Sequence, residues 1–329
     1  MPKASPQLSN VLSTNKQFLE TALRAANAAD EVSHAGFNNR MFTVSRKADN
    51  SEVTEIDRNT ETAISSVLRD AFPEFGIYGE EHGTSGPTDA EYVWVIDPID
   101  GTRGLMYDKR SAWALAAVAP QHGDETRLSQ ILATAMTEIP VSKQWRADQF
   151  SASLDGPLVA TWCDWRTGSD PQPLHTEPST AHSFDHGFAS LAKFFPEGRT
   201  LTAQIEERLW DQILGPNRSR SPVVFDDQYL STAGQFHELI TGRDRLVGDI
   251  RPLVFHALDL ESSLVCHPYD ACAWLLLKKA GVVFEHPLGG FPDAPLDTES
   301  GVAWIAYANE TLAAKARPVL QKILREFLP

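Results

Sequence analysis

The sequence contains few cysteines and no long apolar run. Its 329 residues include 3 cysteines, and neither a C-x-x-C pair nor a zinc-type spacing occurs among Cys163, Cys266 and Cys272. A disulfide framework is therefore not predicted, and a reducing compartment is expected. No stretch of about 18 apolar residues is present, and the first residues carry no apolar run of signal-peptide length. We expect a cytoplasmic protein without a membrane partner.

Positive charge is also scarce. The chain has 29 lysines and arginines against 44 aspartates and glutamates, which gives a net charge of -15. Proteins that bind nucleic acid usually present a basic face, so this balance opposes a nucleic-acid partner. Hydrophobic residues make up 42% of the chain, which is typical of globular proteins, and its length allows one large domain or two subdomains.

Helical and strand patterns alternate along the chain. Apolar residues recur at helical spacing between Gln7 and Ala29 and again after Asp57, where Thr54 resembles an N-terminal cap and Pro73 marks the end. Shorter apolar runs predict strands. The predicted strands are 76–78, 92–96, 113–119, 131–136, 245–249, 282–285 and 302–306, and the predicted C-terminal helices are 229–240, 269–279 and 310–327. This order predicts a layered α/β or α+β architecture.

Composition changes in the middle of the chain. We divide the sequence into an N-terminal α+β subdomain, residues 1–160, and a C-terminal α/β subdomain, residues 161–329. The stretch 164–227 is rich in Pro, Ser, Asp and His and has weak periodicity, so we interpret it as an insertion in the second subdomain. Two helices are predicted inside it, near Phe188–Phe195 and Thr202–Leu214.

The most informative pattern is an apolar strand that ends in two acids, W-V-I-D-P-I-D-G-T at residues 94–102. Pro98 fixes one backbone angle, and Gly101 allows a turn that other residues resist. Asp97 and Asp100 can then project towards one point, which suits a hard divalent cation such as Mg²⁺. Because isolated Asp-Pro and Asp-Gly pairs also mark ordinary turns, the pattern needs support from the rest of the chain.

Further acids stand at the ends of predicted elements. Glu80 follows a short strand in Y-G-E-E-H-G, Asp57 opens a helix, and Asp270 stands at another helix start in H-P-Y-D-A. Each acid alone is explained as well by a helix cap. Together the acids form a pattern. Two or more divalent cations held by carboxylates can bind an attacking water and a leaving oxygen together.

Four segments, in this order, resemble the inositol monophosphatase family, part of the wider lithium-sensitive, fructose-bisphosphatase-like group of phosphatases. They are V-T-E-I-D at 53–57, G-E-E at 79–81, D-P-I-D-G-T at 97–102 and Y-D-A at 269–271. The resemblance runs from about residue 7 to 327, interrupted by 164–227. It implies an αβαβα layered sandwich (the inositol monophosphatase or sugar phosphatase-like fold), a homodimer, inhibition by lithium and a cofactor of two or three Mg²⁺ ions.

The resemblance also implies a set of metal ligands. Glu80, Asp97 and the carbonyl oxygen of Ile99 are expected to hold the first Mg²⁺. Asp97, Asp100 and Asp270 are expected to hold the second.

The remaining roles implied by the resemblance concern the third ion, the water and the phosphate. Asp57 is expected to contribute to a third, weaker Mg²⁺ site. Glu80 and Thr102 are expected to orient and activate the nucleophilic water, and the backbone amides of Gly101 and Thr102 to bind phosphate oxygens. The expected reaction is in-line attack by water, without a covalent phosphoenzyme.

The substrate implied by the resemblance is a small polyol or sugar phosphate, with inositol 1-phosphate as the default. Histidinol phosphate is an open alternative, because the run 78–83 and its spacing to Asp97 also resemble that branch. Bisphosphate substrates stay open as well. Leu105, Tyr269 and Trp274 depart from the family pattern. They remove no expected metal ligand but change the neighbourhood of the pocket.

A hypothesis of another class is a regulatory binding protein that retains the fold and the metal site. The intact set of acids argues against lost catalysis, and the net charge argues against direct contact with nucleic acid. Arg103 follows the expected phosphate loop, so a contact with a second phosphate or acid group is open beside a plain surface role. The expected partner is a small phosphorylated metabolite.

Overall fold

The computed structural model describes residues 16–18, 20–29, 44–46, 52–87, 89–215, 222–262 and 264–328. Two β-sheets and the helices that cover them account for most of these residues, and a small antiparallel hairpin stands apart. The hairpin strands are β1 (Val44–Arg46) and β2 (Glu52–Thr54). The residues that join these two strands, 47–51, lie outside the described residues.

The first sheet has eight strands in the order β10-β9-β8-β7-β6-β5-β3-β4. Neighbouring strands are antiparallel except β3 and β5, which are parallel. The strands are β3 (Gly76–Gly79), β4 (Gly83–Ser85), β5 (Tyr92–Asp100), β6 (Ala112–Pro120), β7 (Ala133–Ile139), β8 (Arg146–Ser153), β9 (Val159–Asp164) and β10 (Gln172–Pro173).

The second sheet has five strands in the order β12-β11-β13-β15-β14. β11 is parallel to both of its neighbours, and the other pairs are antiparallel. The strands are β11 (Gly187–Leu191), β12 (Val224–Phe225), β13 (Asp244–Asp249), β14 (Val283–Glu285) and β15 (Trp304–Tyr307).

The helices begin with α1, in which 16–18 and 20–29 are helical. We predicted this helix within 7–29, of which 7–15 and 19 lie outside the described residues. The others are α2 (Glu55–Ala71), α3 (Thr102–Met106), α4 (Arg199–Leu214), α5 (Thr232–Ile240), α6 (Arg251–Ala257), α7 (Pro268–Ala271), α8 (Trp274–Ala280) and α9 (Glu310–Phe327), with a 3₁₀ turn at Leu128–Gln130. None of the described helices combines the length and apolarity needed to cross a bilayer.

Both faces of the first sheet are covered by helices, as the central strand β6 illustrates. Its side chains alternate between two faces, as the period of a strand requires. Trp113 and Leu115 belong to one buried cluster with residues of α5 and α8. Ala114 and Ala116 belong to a second cluster with residues of α1 and α2. An all-apolar strand of this kind is therefore buried on both sides.

Both faces of the second sheet are covered as well. Val247 and Trp304 pack with residues of α5 and α8 in the cluster that also contains Trp113. Leu246 and Ile305 pack with residues of α4 and α9. The layers therefore run α1 and α2, first sheet, α5 and α8, second sheet, α4 and α9, which confirms the predicted αβαβα sandwich.

The stretch 164–227, which we interpreted as an insertion in the second subdomain, supplies strands to both sheets. β9 and β10 extend the first sheet as far as Pro173, and β11 begins the second sheet at Gly187. The proposed boundary at residue 160 therefore falls inside β9, and the chain changes sheets between Pro173 and Gly187. The division into two subdomains stays a prediction.

One of the two helices predicted in this stretch is wrong. The sequence near Phe188–Phe195 forms strand β11 over Gly187–Leu191, because it is bonded to β12 on one side and β13 on the other. A short apolar run has no period that separates a buried strand from a helix. The helix predicted at Thr202–Leu214 is confirmed as part of α4.

Candidate functional site

The last residues of β5 turn two carboxylates towards one side. Along the pairing with β6, Asp97 lies opposite Leu115 and Asp100 lies opposite Trp113. Three steps on β5 therefore match two steps on β6, so β5 contains one extra residue, as in a β-bulge. In a regular strand, residues three apart point to opposite faces. The irregularity around Pro98 is what brings both carboxylates to the same site.

A third carboxylate joins them from α7. Single oxygen atoms of Asp97, Asp100 and Asp270 all lie within 4.8 Å of one another. Asp270 occupies the first turn of α7, where its Oδ2 accepts a hydrogen bond from the backbone amide of His267. The imidazole Nδ1 of His267 donates in turn to the carbonyl oxygen of Ser300 at 3.1 Å. These bonds fix the acid at the start of the helix.

Asp100 is held by the N-terminus of α5. Its carboxylate accepts hydrogen bonds from the amide of Ala233 at 2.6 Å and from the hydroxyl of Ser231 at 3.0 Å. The amide of Thr232 adds a longer contact of 3.3 Å. Helix N-termini stabilise negative charge, yet burial outweighs these bonds and raises the pKa of Asp100 to about 7.

The other two acids of the cluster are harder to ionise in the absence of a cation. Burial raises the pKa of Asp97 well above its usual value, and the charges of Glu80, Asp270 and Asp100 raise it further. Burial and the charge of Asp100 raise the pKa of Asp270 in the same way. Buried carboxylates that repel one another need a counter-charge to be ionised together. Their all-oxygen donor set fits a hard divalent cation such as Mg²⁺.

Glu80 lines the same cleft, in a turn that is held by another acid. The carboxylate of Glu61, buried on α2, accepts hydrogen bonds from the backbone amides of Glu81 at 2.6 Å and His82 at 3.0 Å. A Cβ atom on Gly79 would lie 2.1 Å from Glu61 Oε1, so only glycine allows this approach. Glu61 was not among the residues that we predicted from the sequence. The feature that could have indicated it is its position four residues after Asp57, on the same face of a helix.

Asp57 lies behind the cluster and contacts Thr102. The Oδ1 atom of Asp57 lies 3.0 Å from the hydroxyl of Thr102, which is also 2.9 Å from the carbonyl oxygen of Ile99. The Oδ2 atom of Asp57 accepts a hydrogen bond from the backbone amide of Thr54. This bond completes a capping box at the start of α2, where the sequence predicted an N-terminal cap. Burial raises the pKa of Asp57, and the nearby charge of Glu80 contributes.

The clustered acids, Glu80 and the turn of Gly101 and Thr102 line a cavity of about 160 Å³. Part of its lining was not assigned to the site from the sequence, and we call this part the wall. It consists of Phe194, Phe195, Leu230, Arg251, Leu264 and Val265. Arg103, whose role we left open, also lines the cavity.

All but one of the site residues predicted from the sequence line this cavity: Glu80, Asp97, Ile99, Asp100, Gly101, Thr102 and Asp270. Asp97, Asp100 and Asp270 form the acidic cluster among them. Asp57 is connected to the cavity through its hydrogen bond with Thr102. Their roles as metal ligands, water-activating groups and phosphate-binding amides stay predictions.

Comparison with known proteins by sequence matches part of the chain. Residues 14–118 match the model of the inositol monophosphatase family. The chain is similar to a Nus factor SuhB of Pseudomonas aeruginosa, 39% identical over 93 residues that cover 27% of this chain and 34% of the relative. It is also similar to a histidinol-phosphatase of Chlorobaculum parvum, 38% identical over 89 residues, with 27% and 34% covered. The matched segment therefore spans about a third of the length of these relatives.

The similarity in fold extends much further. The solved structure of inositol monophosphatase from Anabaena superimposes with a TM-score of 0.61 at 17% identity, covering 95% of this chain and 97% of that one. The fold and the acid-lined cleft thus define an αβαβα protein with a candidate divalent-cation site. The predicted resemblance to the inositol monophosphatase family is confirmed over residues 14–118. The predicted fold is confirmed over nearly the whole chain.

Proposed function

We propose that this protein is a Mg²⁺-dependent phosphomonoesterase that hydrolyses a small phosphate ester. The observation that carries the proposal is the convergence of Asp97, Asp100 and Asp270, whose oxygen atoms lie within 4.8 Å of one another. Such a buried acidic cluster is costly unless a cation neutralises it. The family match and the shared fold agree with this chemistry.

The acids divide between two expected Mg²⁺ ions, with Asp97 as a ligand of both. Glu80 and the carbonyl oxygen of Ile99 complete the protein ligands of the first ion, and Asp100 and Asp270 those of the second. Asp57 is assigned to a weaker third ion. When bound, Mg²⁺ would lower the pKa of a water molecule and balance the charge on the phosphate and leaving oxygens.

Thr102 and Glu80 are the groups that orient the attacking water in this proposal. The hydroxyl of Thr102 lies between two acceptors, Asp57 Oδ1 and the carbonyl oxygen of Ile99. Its single hydrogen is donated to one of them, so its lone pairs remain to accept a hydrogen from the water. The carboxylate of Glu80 accepts the other hydrogen and acts as the base. The water oxygen is then directed at phosphorus.

The phosphate is assigned to the turn that follows β5. Gly101 has a φ angle of 100° and precedes α3, and the backbone amides of Gly101 and Thr102 are the proposed donors to its oxygens. Water attacks phosphorus as the bond to the ester oxygen breaks. The alcohol takes up a proton, and inorganic phosphate leaves. No side chain becomes phosphorylated.

The substrate is proposed as a polyol or sugar phosphate, with histidinol phosphate as the alternative within the same chemistry. The similarity to a histidinol-phosphatase supports that alternative over a matched stretch of 89 residues. A panel that contains inositol 1-phosphate, histidinol phosphate and fructose 1,6-bisphosphate would separate them by the phosphate released with Mg²⁺. We also propose inhibition by lithium, which the same assay measures.

The decisive experiment replaces Asp97 by asparagine. Asp97→Asn removes a ligand of both expected ions but keeps the shape of the side chain, so turnover should fall by at least about 100-fold while the fold is retained. Circular dichroism checks the fold. The control is Asp155→Asn, at a residue exposed to solvent. Wild-type turnover in Asp97→Asn would contradict the assignment, and so would full activity in EDTA.

A regulatory binding role is the second candidate function. Relatives named Nus factor SuhB also match part of the chain, at 39% identity over 93 residues for that of Pseudomonas aeruginosa. Their name denotes a factor and states no reaction. Absence of turnover on the whole panel, together with recovery of RNA polymerase subunits in a pull-down with this chain as bait, would favour this reading. Measurable turnover that depends on Asp97 would favour the enzyme.

A further inference from the structure

The wall of the cavity contains a buried arginine. Arg251 begins α6 two residues after the end of strand β13, and its residue surface is 7% exposed. It lines the same cavity as Asp97, Asp100 and Asp270. An arginine buried in a small cleft carries a cost of desolvation, so its partners decide what it can do there.

Arg251 is fixed in place by two bonding partners. Its Nε donates to Asp249 Oδ1 at 2.9 Å and its Nη2 to Asp249 Oδ2 at 2.5 Å, a bidentate pair. Its Nη1 donates to the carbonyl oxygen of Leu264 at 2.5 Å. Among the described residues, these bonds take three of the five N–H donors of a guanidinium. One N–H on Nη1 and one on Nη2 are left for another acceptor.

Two phenylalanine rings lie next to the guanidinium. The Cζ atom of Arg251 lies 4.7 Å from the ring centroid of Phe194 and 5.7 Å from that of Phe195. Both rings line the cavity, whereas Asp249 does not. The carboxylate that orients Arg251 is therefore outside the cleft. Stacked and bidentate arginines of this kind are pre-organised for planar acceptors such as carboxylate or phosphate.

The basic side chains that line the cavity favour an anion beside Arg251. Apart from the clustered acids and Glu80, the charged side chains among the described residues that line it are Arg103 and Arg251, with His267 as a titratable neighbour. No additional acid from the described part of the chain lines the cleft. The part of a substrate beyond its scissile phosphate would therefore meet donors and aromatic rings.

We propose that Arg251 recognises a second acidic group on the substrate, a carboxylate or a second phosphate, and that Asp249 positions it for this role. This inference rests on the proposed phosphatase function. It ranks the open substrates: phosphate esters with a second acid come first, neutral polyol phosphates next, and esters that carry a cationic amine last. Histidinol phosphate, with its amine, belongs to the disfavoured class.

The test compares three small phosphate esters that differ in the charge of the second group. They are 3-phosphoglycerate with a carboxylate, glycerol 3-phosphate with a neutral hydroxyl, and phosphoethanolamine with an ammonium group. The wild-type protein with Mg²⁺ should show the highest kcat/KM on 3-phosphoglycerate. Arg251→Met should lower that value about 10- to 100-fold, mainly through KM, because charge-assisted hydrogen bonds are lost. The value for glycerol 3-phosphate should change by less than about threefold.

Matched variants separate recognition from folding. Arg208→Met, on the exposed surface of α4, should leave all three values unchanged. Arg251→Met leaves the carboxylate of Asp249 buried without its partner, so the double variant Asp249→Asn with Arg251→Met removes that unpaired charge as well. The double variant should show the same loss of kcat/KM on 3-phosphoglycerate and the same small change on glycerol 3-phosphate. Equal losses on all three esters in both variants, or a wild-type preference for the neutral or cationic ester, would overturn the proposal.

A failure of the proposed function gives a different result. If the wild-type protein releases no phosphate from any ester, the phosphatase proposal fails. Calorimetric titration of the Mg²⁺-loaded protein with 3-phosphoglycerate then tests Arg251 by itself. Binding weakened about 10-fold or more in Arg251→Met, but not in Arg208→Met, supports the recognition role. Absent or unchanged binding refutes it.

Discussion

Gly101 is the residue at which backbone geometry and the acidic cleft meet. Its φ angle of 100° is a conformation that L-residues with a side chain rarely adopt, and a Cβ atom there would lie 3.1 Å from the Cβ of Ser231. Ser231 in turn donates to Asp100. A side chain at residue 101 would therefore disturb both the proposed phosphate turn and the bonds that hold a proposed metal ligand.

Replacing Gly101 by alanine tests this coupling. Gly101→Ala should lower the free energy of unfolding by about 1–3 kcal/mol, the cost of a strained backbone, and should reduce phosphatase turnover. Urea unfolding and phosphate release measure the two effects. The control is Gly168→Ala, since Gly168 has a φ angle of 61° but open space around its Cβ position. It should lose some stability but no activity, and equal activity in both variants would contradict the coupling.

Glu61 acts on the site through the backbone of the Glu80 turn. Its two carboxylate oxygens accept from two different amides, and a glutamine offers only one acceptor oxygen. Glu61→Gln therefore turns an NH₂ group towards one N–H donor. We expect turnover to fall about 10- to 100-fold, as for other groups that orient metal ligands. Kinetics in saturating Mg²⁺ measure the loss. Glu55→Gln, exposed on the same helix, should keep wild-type activity, and similar behaviour of the two variants would argue against this role.

At the scale of elements, a buried ion pair ties helix α5 to the first sheet. His237 on α5 lies with its Nε2 3.1 Å from Asp148 Oδ2 on β8. Burial by itself lowers the pKa of His237, but hydrogen bonds to Asp148 and Glu238 outweigh it, and the pKa is raised. The pKa of Asp148 is lowered, because bonds to His237 and Arg146 outweigh its burial.

The sign of these shifts gives a pH dependence. The raised pKa of His237 means that its contribution to stability is complete below about pH 6.5 and is lost as the pH rises through the folded-state pKa. The lowered pKa of Asp148 means that its contribution is lost on acidification below about pH 4. His237→Gln should therefore lower the free energy of unfolding most near pH 5–6, by about 1–3 kcal/mol, and less at pH 9. Denaturant unfolding of wild type and variant across this pH range measures the difference. A difference that does not change with pH, or an equal effect of His175→Gln at an exposed residue, would contradict a stabilising ion pair between His237 and Asp148.

Sequence patterns predicted elements well where local chemistry determines them. The tip of β5 was predicted because Pro98 and Gly101 impose their own backbone geometry, and the cap of α2 because Thr54 and Asp57 bond to each other locally. Strand β11 was predicted as a helix, since its apolar run is short and its state is decided by β12 and β13. Pairing partners that lie far along the chain leave no local pattern.

At the scale of the whole molecule, the layered fold and the converging acids were predicted from the family resemblance, whereas supporting residues were not. Glu61 and Arg251 take their roles from backbone groups and rings that are distant in sequence or in another element. Neither residue belongs to a recognisable motif. The sequence shows that a charged residue occurs within a helix, but its burial and its bonding partners become known only from the fold.

The acidic cluster should make the stability of the whole protein depend on Mg²⁺ and pH together. Burial raises the pKa values of Asp97 and Asp270, and that of Asp100 to about 7. Without metal, the folded state therefore holds protons that the unfolded state releases, and the cluster costs stability as the pH rises from about 4 to 7. Cation binding requires the deprotonated acids, so stabilisation by Mg²⁺ should grow over the same interval.

We expect Mg²⁺ at 100 times its Kd to stabilise the protein by about 2.7 kcal/mol at pH 8, and by much less at pH 5. Thermal unfolding in Mg²⁺ and in EDTA at both pH values measures this difference. Asp97→Asn removes one of the repelling charges, so the variant should be at least as stable as wild type in EDTA at pH 8 but should gain little from Mg²⁺. An equal gain from Mg²⁺ at both pH values, or in both proteins, would mean that the cation acts elsewhere than among these carboxylates.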